Sequence, residues 1–132
     1  MKLITRYTDY AVRALCYIAR HQDKKVTVTE LVTNLKIPKS FLRKTLQLLN
    51  KKGVLKSYKG KFGGFVLALP EDKIYLADLI EIFQGPLKLN ECRLKKAICP
   101  NINKCLLKKK IDIASRRLLS EIRSINLKSL IK

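Results

Sequence analysis

Acidic side chains are scarce in this sequence. Ten Asp and Glu stand against twenty-nine Lys and Arg, which leaves a formal net charge of +19 and a pI near 10.1. Such a balance points to polyanionic partners, nucleic acid above all, although charge alone would also suit an anionic membrane surface. Long apolar runs are missing as well. No stretch approaches the ~20 apolar residues of a membrane span, and the opening MKLITRYTDY lacks the apolar core of a signal peptide. The expected setting is the cytoplasm, where thiols stay reduced. Histidine occurs once, at His21, and no nucleophile–base pair is visible, so no enzyme is expected. Four cysteines are present but no CxxC knuckle, the usual mark of a structural zinc site. Repeats and low-complexity tracts are absent. The 132 residues fit one domain with an appended arm, and 47% hydrophobic content suffices for a core.

What is present reads as short helices followed by a hairpin. Residues 6–20 carry Tyr7, Ala11, Ala14, Leu15 and Ile18 on one stripe, with Thr5 placed to cap the start and Asp9 in the first turn. Cys16 lies on that helix as a small buried apolar residue. Thr27 and Glu30 stand at capping-box spacing and begin a second helix that ends near Leu35 or Lys36. Pro38 opens a third, and Gly53 suits its left-handed stop. Two short helices across a tight turn form a helix-turn-helix. Val54 to Leu69 then change period and suit two strands joined by Lys59–Gly64, which makes the unit a winged helix. Helix returns at 74–84 and ends at Gly85-Pro86. A long helix over 106–124 follows, with Leu107, Ile111, Ala114, Leu118 and Ile122 on one stripe; a second copy of the chain is its natural cover. Asn126 caps a last short turn. The expected fold is mainly α with a small β-hairpin. Residues 1–85 form a winged helix-turn-helix DNA-binding domain, and 86–132 hold a cysteine loop and a dimerisation helix.

Between Lys24 and Lys61 there are eleven Lys or Arg and one acid, Glu30. On the third helix Phe41, Leu42, Leu46 and Leu49 face inward, and the basic residues recur on the opposite side. A helix fits the major groove of B-DNA. Arg43 and Gln47 are the expected base readers, Arg against guanine and Gln against adenine. Lys39, Ser40, Lys44 and Lys51 are expected to hold phosphates. Lys59 and Lys61 on the wing are placed for the adjacent minor groove. A dimer further implies a palindromic operator with half-sites about one helical turn, or a multiple, apart.

Cys92, Cys99 and Cys105 fall with six and then five residues between them. Thiolates suit both iron–sulfur clusters and zinc. These longer spacings fit a loop wrapped around a cluster better than a zinc knuckle, and Lys95, Lys96 and Lys104 would offset its negative charge.

The order of parts, with Thr8-Asp9-Tyr10-Ala11, Ile37-Pro38-Lys39-Ser40-Phe41-Leu42, Lys59-Gly60-Lys61-Phe62-Gly63-Gly64-Phe65 and the three cysteines, resembles the winged-helix iron–sulfur transcription regulators that include IscR and NsrR. The resemblance covers essentially the whole chain. It implies a homodimer on double-stranded DNA and a cluster, 2Fe-2S or 4Fe-4S, held by Cys92, Cys99 and Cys105. Lys108 stands where IscR-like members place a ligand histidine. Asp9 matches the first-helix aspartate that NsrR-like members donate from the partner subunit, so the resemblance implies Asp9 as the fourth ligand. Departures are the six-residue first cysteine interval, Phe62 in place of a wing glycine, and Arg43 in place of an acidic residue, which implies a different target sequence. The expected function is a DNA-binding regulator, a repressor, whose DNA affinity follows a cluster that senses redox state, nitric oxide or iron status. Rival readings are a thiol/disulfide- or zinc-dependent winged-helix regulator, and a structural zinc or RNA-binding module.

Overall fold

A computed structural model of the chain describes residues 3–87 and 106–131. Helix α1 (Arg6–Arg20) is followed by α2 (Val28–Leu35) and α3 (Lys39–Lys51), then by strands β1 (Leu55–Tyr58) and β2 (Gly64–Leu67). A 3₁₀ turn (Glu71–Lys73) leads into α4 (Leu76–Gln84), and α5 (Leu106–Ser124) and α6 (Leu127–Leu130) complete the described chain.

The α1 stripe is the centre of the core. Ala11, Ala14, Leu15 and Ile18 are buried and pack with Leu31 of α2, and with Leu42, Leu46 and Leu49 of α3. Burying a side chain of Leu or Ile size contributes about 1.5–3 kcal/mol relative to leaving it exposed, so this shared face fixes the three helices together. Thr5 caps α1 by accepting from the Thr8 N–H. Burial pushes the Cys16 thiol up from its ordinary range, with Arg20 pulling the other way, so Cys16 behaves as a small apolar residue.

Three local details differ from the pattern. Thr27 Oγ1 accepts from the Glu30 N–H at 3.1 Å, but the Glu30 carboxylate turns away and accepts from Tyr17 Oη at 2.6 Å and Lys24 Nζ at 2.8 Å. Tertiary partners outcompete the local half of the capping box. Pro38 sits one place before α3, as its N-cap, and its carbonyl accepts from the Leu42 N–H. Finally, α4 begins at Leu76 rather than at 74. Ile74 O accepts from Leu127 N–H at 2.8 Å and the Leu76 N–H donates to Ile125 O at 3.0 Å, so residues 74–76 are held extended against the α5–α6 junction.

The hairpin pairs antiparallel, Leu55 opposite Leu67 and Tyr58 opposite Gly64. Val26, in the α1–α2 connection, exchanges two backbone hydrogen bonds with Phe65, of 3.0 and 2.8 Å. The wing is thereby tied to the helical body at its base. Helix α5 touches that body mainly through Ile122, which packs with Ala77 and Ile80 of α4 and with Leu3 and Leu87. Its other end stands clear, with Leu106 and Leu107 exposed at 73% and 68%. No helix among the described residues is long and apolar enough to cross a membrane.

Candidate nucleic-acid interface

Helix α3 is amphipathic by spacing, and that spacing builds the site. With Leu42, Leu46 and Leu49 committed to the core, Lys39, Ser40, Arg43, Lys44, Gln47 and Lys51 are all forced outward and exposed. Lys39, Ser40, Arg43, Lys44 and Gln47 border one shallow depression. Gln47 also borders the next, a groove of about 470 Å³ between α3 and the wing that includes Asn50, Ser57, Tyr58 and Lys59. Beyond it a third depression takes in Lys24, Lys25, Lys61 and Phe62. Helix face and wing therefore form one continuous basic surface.

Sequence reasoning singled out eight residues of this surface and missed Lys24, Lys25, Asn50, Ser57 and Tyr58. Lys25 Nζ lies 4.3 Å from the centroid of the Tyr58 ring, a cation–π contact that fixes a cation beside the wing. A Lys before the second helix and a Tyr at a strand end carry no joint signal until the wing folds back onto residues 25–27.

The wing keeps its shape through its glycines. The Gly63 N–H donates to Gly60 O at 3.0 Å and closes the tip, and a Cβ on Gly63 would run into the Tyr58 carbonyl oxygen. Only glycine permits so close a return of the chain.

Asp9 lies in the first turn of α1, half-exposed, in a depression with Ile4, Thr5, Arg6 and Tyr10. Its Oδ2 meets Arg13 Nε at 3.1 Å across one helical turn, with Arg13 and Asp9 side chains 60% and 45% exposed. An exposed pair of this kind contributes only about 0.3–0.5 kcal/mol, so the carboxylate is held lightly. Next to it, Thr8 Oγ1 donates to Gln84 Oε1 at 2.7 Å, the Thr5 N–H donates to the same oxygen at 2.9 Å, and Gln84 Nε2 donates to Leu3 O at 3.2 Å. The last residue of α4 thus grips the start of α1. His21 sits at the other end of α1 as a helix-end partner, its Nδ1 2.8 Å from Tyr17 O and its ring stacked on Tyr17. Lys108 Nζ pairs with Asp112 Oδ2 at 2.9 Å. Cys92, Cys99 and Cys105 lie outside the described residues. Among the described residues no three His, Cys, Asp or Glu side chains converge on a possible metal position.

Residues 4–132 match the Rrf2 family, described as iron-dependent transcriptional regulators. A protein of Aquifex aeolicus assigned as an HTH-type transcriptional regulator is 36% identical over 124 residues, covering 92% of this chain and 86% of that protein. The fold is shared with CymR, the global cysteine regulator of B. subtilis, at a TM-score of 0.83 and 22% identity over 99% of this chain and 97% of that one. It is shared too with T. potens IscR, at a TM-score of 0.75 and 21% identity over 99% of this chain and 86% of that one. A basic helix face, a glycine-closed wing and a match that runs nearly the length of the chain together mean that this protein belongs to the Rrf2 family of transcriptional regulators, DNA-binding proteins rather than enzymes.

Proposed function

We propose that the chain is a cytoplasmic repressor that binds a palindromic operator as a homodimer, and that an iron–sulfur cluster on Cys92, Cys99 and Cys105 sets its DNA affinity. The observation that carries the DNA half is the continuous basic surface from Lys39 to Lys61. In it Arg43 and Gln47 read base edges. Lys39, Ser40, Lys44 and Lys51 hold phosphates, and Lys59 and Lys61 follow the backbone beside the minor groove. The head over residues 1–85 does the reading, and residues 86–132 hold the cysteines and the pairing helix.

The dimer is supported by α5. Of its expected apolar stripe only Ile122 is buried, while Leu107, Ala114 and Leu118 remain exposed and Ile111 is half-buried, a row that a second copy would cover. The same helix supports a ligand set shared between subunits. Leu106, next in sequence to Cys105, lies sixteen helical steps from Ile122, about 24 Å at 1.5 Å per residue. That span separates the start of α5 from the contact that Ile122 makes with its own head. Asp9 of the partner subunit is the fourth ligand in this reading, and its light hold by Arg13 fits a carboxylate that can be recruited. Three soft thiolates and one hard carboxylate suit iron, with the oxygen ligand the most easily lost. When bound, the cluster supplies reactivity toward oxidants or nitric oxide.

A second reading keeps the DNA face and lets the thiols act alone, by disulfide exchange or with zinc; the cysteine regulator CymR shares the fold. Purification without air, followed by iron, acid-labile sulfide and zinc analysis, separates the two. Iron and sulfide in the dimer, with a spectrum altered by Asp9→Ala, support the cluster. Stoichiometric zinc, or iron-free protein that cannot be reconstituted, removes it. An unchanged spectrum and loading in Asp9→Ala removes Asp9 alone.

A further inference from the structure

Phe62 is 82% exposed, the most exposed large hydrophobic side chain among the described residues. It is held out by construction. The Gly63 N–H to Gly60 O bond closes a tight turn in which Lys61 and Phe62 are the two corner residues, and Phe62 belongs to neither core cluster of the described residues. Single exposed apolar side chains are common on protein surfaces; this one is distinguished by its place at the tip of the wing, within the basic surface.

The surroundings point to a partner. Lys61 Nζ lies 6.0 Å from the Phe62 ring centroid, and Lys24 and Lys25 border the same depression, with Asp23 its only acid. The apolar area is one ring rather than a patch, which is too little for a protein hot spot. It suits a narrow slot between rows of phosphates. The minor groove of B-DNA is about 6 Å wide, enough for a single ring edge-on with lysines on either wall. Apolar side chains delivered there partly unstack a base step and kink the duplex.

We infer that Phe62 is an apolar wedge, which the wing inserts into the minor groove at a deformable pyrimidine–purine step. The inference rests on the reading of α3 and the wing as the DNA face. Lys59 and Lys61 supply the phosphate contacts that seat the wing, and Phe62 supplies a preference without any hydrogen bond to a base. Sequence selection by Phe62 follows deformability, so TA and CA/TG steps are favoured where the wing lands. One such step recurs in each half-site.

The test uses the full-length dimer and a duplex of roughly 30 base pairs, selected by the protein itself from a random pool and long enough to span two half-sites. 2-Aminopurine replaces adenine at each pyrimidine–purine step. Wild-type protein raises 2-aminopurine fluorescence at one step per half-site. Phe62→Ala abolishes that rise and weakens binding about tenfold, in the range of a lost base–aromatic contact. Its salt slope stays unchanged, because no charge is removed. Phe62→Leu, which keeps an apolar wedge, retains most of the affinity and part of the signal. Circular dichroism checks that both variants fold, as expected for a residue with no core contact. Unchanged affinity and fluorescence in Phe62→Ala, with Arg43→Ala still impaired, overturns the wedge and leaves the DNA face standing. If both variants are silent, both readings fall. Loss of dimer in Phe62→Ala without DNA, or Phe62-dependent binding to phosphatidylserine vesicles with no effect on the duplex, assigns the ring to another partner and likewise overturns the wedge.

Discussion

Phe41 of α3 lies against Tyr7 of α1, ring centroids 4.9 Å apart and tilted by 54°. Tyr10 meets the same ring edge-on at 5.7 Å. Tyr7 and Tyr10 bracket Asp9 in sequence, so α3 packs against residues within two positions of the proposed ligand. If Asp9 is a ligand as proposed, a pull on it would meet α3 first at the Phe41 ring.

This contact makes Phe41 the place to separate sensing from reading. Phe41→Leu keeps apolar volume and costs under about 1.5 kcal/mol, whereas Phe41→Ala costs about 1–3 kcal/mol for a half-buried ring. In Phe41→Leu the stripped protein still binds DNA, and the ratio of affinities between cluster-loaded and stripped protein shrinks toward one. Fluorescence anisotropy on both forms measures it. A ratio equal to wild type excludes this route.

Base reading and phosphate holding give different salt signatures. Arg43→Ala relaxes base preference at one position per half-site, at about 1–3 kcal/mol of discrimination. Lys59→Ala weakens all duplexes alike and lowers the slope of log affinity against log salt by about 1. Competition against a randomised pool at two salt concentrations distinguishes them. A wild-type dimer making ~6 phosphate contacts loses about three decades of affinity between 50 and 200 mM salt.

Most of the fold was legible because helix periodicity and stop signals agree. Leu42, Leu46 and Leu49 mark one face of α3, the basic residues mark the other, and Gly53 stops the helix at φ +82°. The places where reading failed are those where distant backbone competes with local preference. Ile74 and Tyr75 continue a helical apolar pattern, but the strand-like partner that holds them extended lies about fifty residues on, at Ile125–Leu127. Glu30 has the spacing of a capping box, yet its partners Tyr17 and Lys24 become neighbours only after α1 and α2 pack. The exposed basic surface was readable because it is carried by one helix and one hairpin. The staple between Gln84 and Thr5 was not, since 79 residues separate its ends.

Thr45 gives a stability test away from the DNA face. It is buried on the core side of α3, and among the described residues its hydroxyl meets no hydrogen-bond partner. A buried hydroxyl without a partner retains the cost of leaving water. Thr45→Val keeps the shape and removes that cost, and raises stability by about 1 kcal/mol with DNA affinity unchanged. Thr45→Ser keeps the hydroxyl, loses a methyl group and destabilises. Urea unfolding midpoints of the two variants move in opposite directions.

The Glu30 cluster sets the acid limit of the fold. Burial pulls the Glu30 carboxyl up, but hydrogen bonds from Lys24 and Tyr17, with the nearby charges of Lys24 and His21, outweigh it and hold the group below the usual carboxylate range. A folded value below the unfolded one means that the unfolded chain takes up the proton first. The stabilisation is therefore present above the unfolded value, about 4.3, and is lost as pH falls through the folded value. Glu30→Gln removes this dependence: the variant is less stable than wild type at neutral pH, and the gap closes as pH drops below about 4. Thermal melts of both proteins between neutral pH and the acid limit record it. A gap that stays constant over that range would show that Glu30 supports the α1–α2 junction by shape rather than by charge.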